Sequence, residues 1–227
     1  MYKLRIVILE AGLELVPKSI ANHPSILKNA ARRGKKPSEV LLDVSIHYPA
    51  MKKLPDKLKR GRPDIVHTTL LEALESPLNK KGLLEVFIHT YGGDVIFIDP
   101  STRIPKNYNR FVGLMEQLLS RGRAPPDSQS PLLRVEKLNL KELVRESKAR
   151  GLLILREECS RMKISSVAET ALKENLLVGI GGFPHGDFRD ETLGAAEYCY
   201  SIYPESLTTW IVSSRLISSV EFMLGIL

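Results

Sequence analysis

Apolar runs of strand length alternate along the whole chain with stretches whose apolar residues recur every three or four positions. Residues 4–9 predict a first strand, residues 26–33 part of a short helix ended by Gly34, and residues 40–46 a second strand-like run. A further helix is predicted from Pro63. Proline suits the first helical position and Asp64 complements the positive helix end. Ile65, Thr69 and Ala73, with Val66, Leu70 and Leu74, then form one apolar face. Residues 84–89 and 95–98 flank a turn holding Gly92 and Gly93, which predicts a β-hairpin. The next helix runs to about Arg121, with Tyr108, Phe111, Val112, Met115, Leu118 and Leu119 as its core face.

Residues 121–131 are the most linker-like stretch, but neither half around them has an obvious complete sheet, so no domain boundary is placed there. The alternation then resumes: a helix over 140–150, a strand over 152–155, a helix around 166–173, and strands over 176–180 and 198–202. The closing helix, about 207–224, has apolar residues over more than half its circumference, so it threads the core or faces a second subunit. Together these elements predict an α/β fold with a largely parallel sheet, as one domain spanning 1–227.

The strand over 176–180 opens into a loop in which Gly179, Gly181, Gly182 and Gly186 fall within eight residues. Glycine serves positive φ or the close approach of another molecule to the backbone, and α/β sheets bind ligands at the carboxyl ends of their strands. The usual nucleotide motifs do not fit. Pro184 stands where G-x-G-x-x-G needs its third glycine, there is no Gly-Lys-Ser/Thr, and only 41 residues follow Gly186. The expected ligand is therefore small and held by backbone edges.

Length and charge sharpen this picture. The 227 residues suffice for a real core, and a formal charge of +7 with pI near 9.4 favours an anionic partner, nucleic acid first. Cys159 and Cys199 lie 40 residues apart without C-x-x-C spacing, so neither a disulfide framework nor a zinc site is expected. The histidines lack metal-binding spacing, so no metal is expected. No apolar run reaches transmembrane length, and the chain enters its first strand directly from Met1. A soluble intracellular protein is expected, with no membrane partner.

The positive charge is concentrated in two places. Lys52, Lys53, Lys57, Lys59, Arg60 and Arg62 occupy six of eleven positions, and Arg62 and Asp64 sit together at a helix mouth. A solvated loop and a binding surface explain such a run about equally well, and helix-end electrostatics alone would explain Asp64. Arg103 lies in a proline-stiffened loop, and Lys106 and Arg110 begin the following helix on the face opposite its core. Arg and Lys at this spacing suit successive phosphates.

Six stretches then occur in one order: Arg62-Pro-Asp-Ile65, Leu-Leu-x-x-Leu from Leu70, Ser76-Pro-Leu-Asn-Lys80, Pro100-Ser-Thr-Arg-Ile-Pro105, Arg110-Phe-x-Gly-Leu-Met115 and Gly181-x-Phe-x-His-Gly186. Together they resemble the ribosome-biogenesis pseudouridine N1-methyltransferases, a branch of the SPOUT or α/β-knot class, most of all the archaeal members. The likeness covers about residue 41 to the end. It implies a deep C-terminal trefoil knot, S-adenosyl-L-methionine as methyl donor, a homodimer, and small-subunit ribosomal RNA as substrate during cytoplasmic ribosome assembly. The inserted hairpin-helix region at about 47–121 would bind the RNA. It also implies cofactor contacts at Leu155 and Arg156, at the loop from Gly181 to Gly186, and at Tyr200, Ser201, Ile202, Tyr203, Pro204 and Glu205. RNA contacts would fall on Arg62, Arg103, Lys106 and Arg110, with Asp64 steadying Arg62. Lys106 stands where the family commonly has arginine, and Glu205 where leucine usually follows Tyr-Pro.

The chemistry asks for little beyond positioning. Methyl transfer from a sulfonium needs an in-line nucleophile and release of its proton, and pseudouridine offers a ring N–H acidic enough to lose it with modest help. Arg62 could stabilise charge developing on a base carbonyl. Asp64 could orient Arg62 or take the proton, and orientation is favoured because a carboxylate tied to arginine is a weak base. His185 is another conceivable base, and the base stays unassigned. A non-catalytic ribosomal RNA-binding assembly factor is the alternative, and cofactor binding separates the two.

Overall fold

In the computed structural model, which describes residues 3–227, the chain is built outward from its first strand. That strand, β1 (Leu4–Ala11), is buried along nearly its whole length and pairs in parallel on both sides. A strand covered on both faces must be continuously apolar, as Ile-Val-Ile-Leu is here. The entry into it from Met1 concerns Met1 and Tyr2, which lie outside the described residues.

Three helices follow, α1 (Pro24–Arg32), α2 (Val44–Met51) and α3 (Pro63–Glu75), then the single turn α4 (Pro77–Lys80). The hairpin is β2 (Leu84–Thr90) with β3 (Asp94–Ile98), followed by α5 (Tyr108–Arg121), β4 (Arg123–Ala124) and β5 (Leu133–Lys137). The second half runs α6 (Leu140–Glu146), β6 (Gly151–Leu155), α7 (Ile164–Lys173), β7 (Leu176–Gly181), α8 (Asp190–Gly194), β8 (Tyr198–Tyr200) and α9 (Thr209–Met223). All strands join one eight-stranded sheet in the order β4-β5-β3-β2-β1-β7-β6-β8. The pairs from β2 through β8 are parallel, and β3, β5 and β4 extend that sheet in antiparallel fashion. The largely parallel α/β expectation holds.

Two expectations fail. Residues 40–46 are no strand: Leu41 makes one isolated bridge to Leu15, and Asp43 caps α2 by accepting from Ser45 N at 2.8 Å. Val40, Leu42 and Val44 fill a side core with Val16, Ile26 and Met51 instead, because the capping aspartate starts a helix before a ladder can form. The linker-like stretch begins with β4, which pairs with β5 just beyond its end. Cys159 and Cys199 do form a disulfide. Sequence spacing hid it: β8 lies beside β6 with Cys199 opposite Ile154, and the turn after β6 carries Cys159 back over β8.

The helices close the layers. In α3 the expected apolar face is buried throughout, from Ile65 to Leu74. In α9, Val212, Leu216, Ile217 and Val220 are buried within the protomer, whereas Ile211, Phe222, Met223 and Leu224 are exposed. Among the described residues no helix is long and apolar enough to cross a membrane, and no group of three or more His, Cys, Asp or Glu could hold a metal ion.

Candidate active site

The carboxyl ends of β6, β7 and β8 surround a cavity of about 260 Å³. Its wall includes Leu155 and Arg156 after β6, Gly181 and Gly186 from the glycine loop, and Ser201, Ile202, Tyr203 and Glu205 after β8. Tyr200 and Pro204 are not in the wall. The Tyr200 carbonyl instead accepts from Arg156 N at 3.0 Å, which ties the first wall to the third. Ser201 is held on both sides: its N–H donates to Ser160 O at 3.0 Å and its carbonyl accepts from Met162 N at 2.8 Å. Phe183, inside the expected loop, is one apolar wall residue, and Phe188, Leu207 and Val212 join it from outside the expected contacts. The aromatic spacing Phe-x-x-x-x-Phe from Phe183 is the sequence signal for Phe188.

The four glycines serve different ends. Gly186 has φ +94°, a backbone shape that favours glycine. A Cβ on Gly182 would lie 2.6 Å from Ile8 Cγ2, so that glycine lets the loop pack on β1. Gly179 likewise makes room for Leu9. Gly181 faces the cavity, its carbonyl accepts from Thr209 Oγ1 at 2.6 Å, and an added Cβ would touch the Phe183 ring at 3.2 Å. Gly181→Val should therefore push Phe183 and fill the cavity, weakening cofactor binding about tenfold or more, or ~1.4 kcal/mol. Calorimetry on a variant with native circular dichroism checks this, and undiminished affinity would move the cofactor elsewhere.

Charge holds the cavity rim. Arg156 Nε and Nη2 reach the two Asp187 oxygens at 2.9 and 2.5 Å, and Nη2 also meets Glu158 at 2.5 Å. Burial pushes the Asp187 carboxyl up, but the Arg156 bond and the Phe188 N–H outweigh it and leave it lowered. The bond to Asp187 raises the Arg156 guanidinium, so this clamp stays ionised at neutral pH.

Arg62 and Asp64 form a two-point pair across the start of α3, Nε to Oδ1 at 2.8 Å and Nη2 to Oδ2 at 2.7 Å. The Asp64 hydrogen bond is the main influence raising Arg62. Such a fork fixes the guanidinium plane. The backbone connects this pair to the cavity. Arg62 N donates to Gly12 O at 2.9 Å, and Gly12 N donates to Gly182 O at 3.3 Å. A Cβ on Gly12 would meet Lys59 O at 2.6 Å, so the approach depends on glycine there.

Arg103, Lys106 and Arg110 are exposed and form no ion pair among the described residues. Their segment is fixed from beneath: His67 Nε2 donates to Pro105 O at 2.7 Å, His67 stacks on Phe111, and Asn107 caps Arg110 N at 3.1 Å. Tyr108 OH donates to Asp43 at 2.5 Å, joining the starts of α5 and α2. Three unpaired cations thus stand on a rigid mount beside α3.

The sequence profile of the EMG1/NEP1 methyltransferase family matches residues 6–221. The chain belongs to this family. Among family relatives, the ribosomal RNA small subunit methyltransferase Nep1 of Staphylothermus marinus is 54% identical over 224 residues, covering 99% of this chain and 97% of that protein. The Nep1 of Thermococcus onnurineus is 48% identical, covering 96% of this chain and 98% of its own. The crystal structure of Archaeoglobus fulgidus Nep1 bound to S-adenosylhomocysteine superposes with a TM-score of 0.87 at 40% identity, over 99% of this chain and 100% of that one.

Proposed function

We propose that this protein transfers a methyl group from S-adenosyl-L-methionine to N1 of a pseudouridine in small-subunit ribosomal RNA. The carrying observation is the cavity at the ends of β6, β7 and β8, in a chain whose structural relative holds S-adenosylhomocysteine. The residues fit such a ligand. Gly181 leaves the main chain open to the cavity, Leu155, Phe183 and Phe188 give apolar walls, and the Arg156–Asp187 clamp fixes the rim. When bound, the cofactor supplies an electrophilic methyl group on a sulfonium.

The chain's own residues supply position and charge. Arg62, held flat by Asp64, faces the negative charge that builds on a base carbonyl as the ring N–H is lost. Arg103, Lys106 and Arg110 seat RNA phosphates within the 47–121 region, and the target base is extruded toward the cavity. Calorimetry with S-adenosylmethionine, followed by mass spectrometry of treated ribosomal RNA, tests the reading. Cofactor affinity with a methylated pseudouridine supports it, and RNA binding without cofactor affinity would make the protein an assembly factor.

Replacing Arg103 and Arg110 with alanine should lower the slope of log affinity against log salt by ~1.4, from ~0.7 per phosphate contact. RNA affinity should fall about tenfold near 0.15 M salt, with S-adenosylhomocysteine affinity unchanged. An unaltered slope would show both side chains to be free of RNA.

The reading includes a homodimer and a trefoil knot formed by the segments around the cavity. The exposed apolar end of α9 supports the dimer, with Phe222 69% and Met223 44% exposed. Ile217, at 3% exposed, lies in the protomer's own core and would report folding instead. Phe222→Glu should give a folded monomer by light scattering at micromolar concentration. A dimer that persists would place the interface elsewhere.

A further inference from the structure

The six cations of the segment 52–62 are not alike. Lys59 Nζ is drawn inward to Glu10 Oε2 at 2.8 Å, where Glu10 is fully buried, and lies 4.6 Å from the centre of the Phe183 ring. Arg60 takes both oxygens of Glu14, at 2.7 and 2.6 Å, and stacks over Tyr91. Arg62 is paired with Asp64. Lys52, Lys53 and Lys57 remain, exposed and with no ion pair among the described residues. A merely solvated loop would leave all its cations in water. This one is anchored by buried pairs at one end and by buried Leu54 in the middle, and it presents three lysines from a fixed backbone.

Those lysines line a groove of about 570 Å³ whose opposite wall is His185 and Gly186. The same two residues also line the cofactor cavity, so cavity and groove share one rim. Asp56 is the one carboxylate in the groove wall, and its Oδ2 is engaged by Tyr91 OH at 3.0 Å. Pro55 and Leu58, the latter 60% exposed, add apolar surface.

We infer that this groove holds the RNA strand next to the methylated nucleotide, with Lys52, Lys53 and Lys57 on its flanking phosphates. The inference rests on the function proposed above. A base turned into the cavity must leave its sugar and phosphates at the cavity rim, and the rim opens here. Three point charges spread along an open groove, with no buried donor among them, match a run of phosphates better than one bound anion. Apolar Leu58 and Pro55 match the sugars and unstacked bases between them. The groove would thus set which nucleotide reaches the methyl group, while the Arg103–Arg110 surface grips the RNA further away.

The test is the K52A/K53A/K57A protein, titrated with a pseudouridine-bearing fragment of small-subunit ribosomal RNA over a range of salt. Its slope should fall by ~2 and its affinity by tens of fold near 0.1 M salt. KM for the RNA should rise, the K52R/K53R/K57R protein should restore binding, and S-adenosylhomocysteine affinity should match the parent. Unchanged slope and affinity would overturn the inference. Loss of S-adenosylhomocysteine affinity at an unchanged melting temperature would also overturn it, by assigning the groove to the cofactor. The RNA titration needs no methylation, so a parent that binds RNA without methylating it would refute the proposed function and still leave the groove decided by the slope.

Discussion

Lys59→Met is expected to destabilise the protein by about 3–5 kcal/mol, the usual cost of removing one partner from a buried ion pair. Glu10 lies at the end of β1 with no exposed surface and a left-handed φ of 50°, so its carboxylate cannot turn out to water without moving the strand. It would keep the Arg189 N–H at 2.7 Å and the Arg189 guanidinium at 3.9 Å, which places the cost toward the lower end. Urea unfolding should show a lower midpoint with the slope unchanged. The effect should reach the cofactor too. Lys59 packs on Phe183, and Arg189 follows directly after the glycine loop, so Glu10 ties the basic segment to one cavity wall. The E10Q/K59M double variant should recover part of the loss, because it removes both charges. A single variant costing under 1 kcal/mol would mean that Glu10 is adequately held by Arg189 alone.

That pair also shows where the sequence stops being informative. Local rules place the hairpin at Gly92 and Gly93, and they place the start of α3 at Pro63 and the glycine loop after β7, because turn chemistry, capping and periodicity act within a few residues. The resemblance marks all three stretches that line the cavity, after β6, in the glycine loop and after β8. Nothing local distinguishes Lys59 and Arg60, which fold inward, from Lys52, Lys53 and Lys57, which do not. The difference is made by Glu10 and Glu14, more than forty residues earlier. The strand β5 was missed for a similar reason. Leu-Arg-Val-Glu-Lys has only two apolar residues, and it becomes a strand because β3 offers it a full antiparallel register from Asp94 to Ile98. At 40–46 the reverse holds: the apolar run has strand character, but Asp43 within it caps a helix.

The disulfide is the other feature that only the assembled sheet reveals, and it predicts the second large effect. Cys159 and Cys199 close a loop of sequence separation 40, for which chain entropy gives roughly 4 kcal/mol of stabilisation. The C159A/C199A protein should therefore unfold at a clearly lower urea concentration, and the reduced parent should unfold at a similar one. The bridge also sits between two walls of the cavity. The turn it fixes carries Arg156 and Glu157, and the strand it fixes leads into Ser201, Ile202 and Tyr203. Three backbone hydrogen bonds already join these segments: Arg156 N to Tyr200 O, and the pair Ser201 N to Ser160 O and Met162 N to Ser201 O that makes the Arg161–Ser201 bridge. The walls should therefore stay in register without the disulfide under strongly folding conditions, and cofactor affinity should drop only a few-fold at low temperature. Near the unfolding transition the loss should grow, because the turn then opens before the sheet does. S-adenosylhomocysteine at a hundred times its Kd should return ~2.7 kcal/mol and restore much of the midpoint. If the double variant kept the parent's stability but bound cofactor far more weakly, the bridge would be shaping the cavity itself and not confining the unfolded chain.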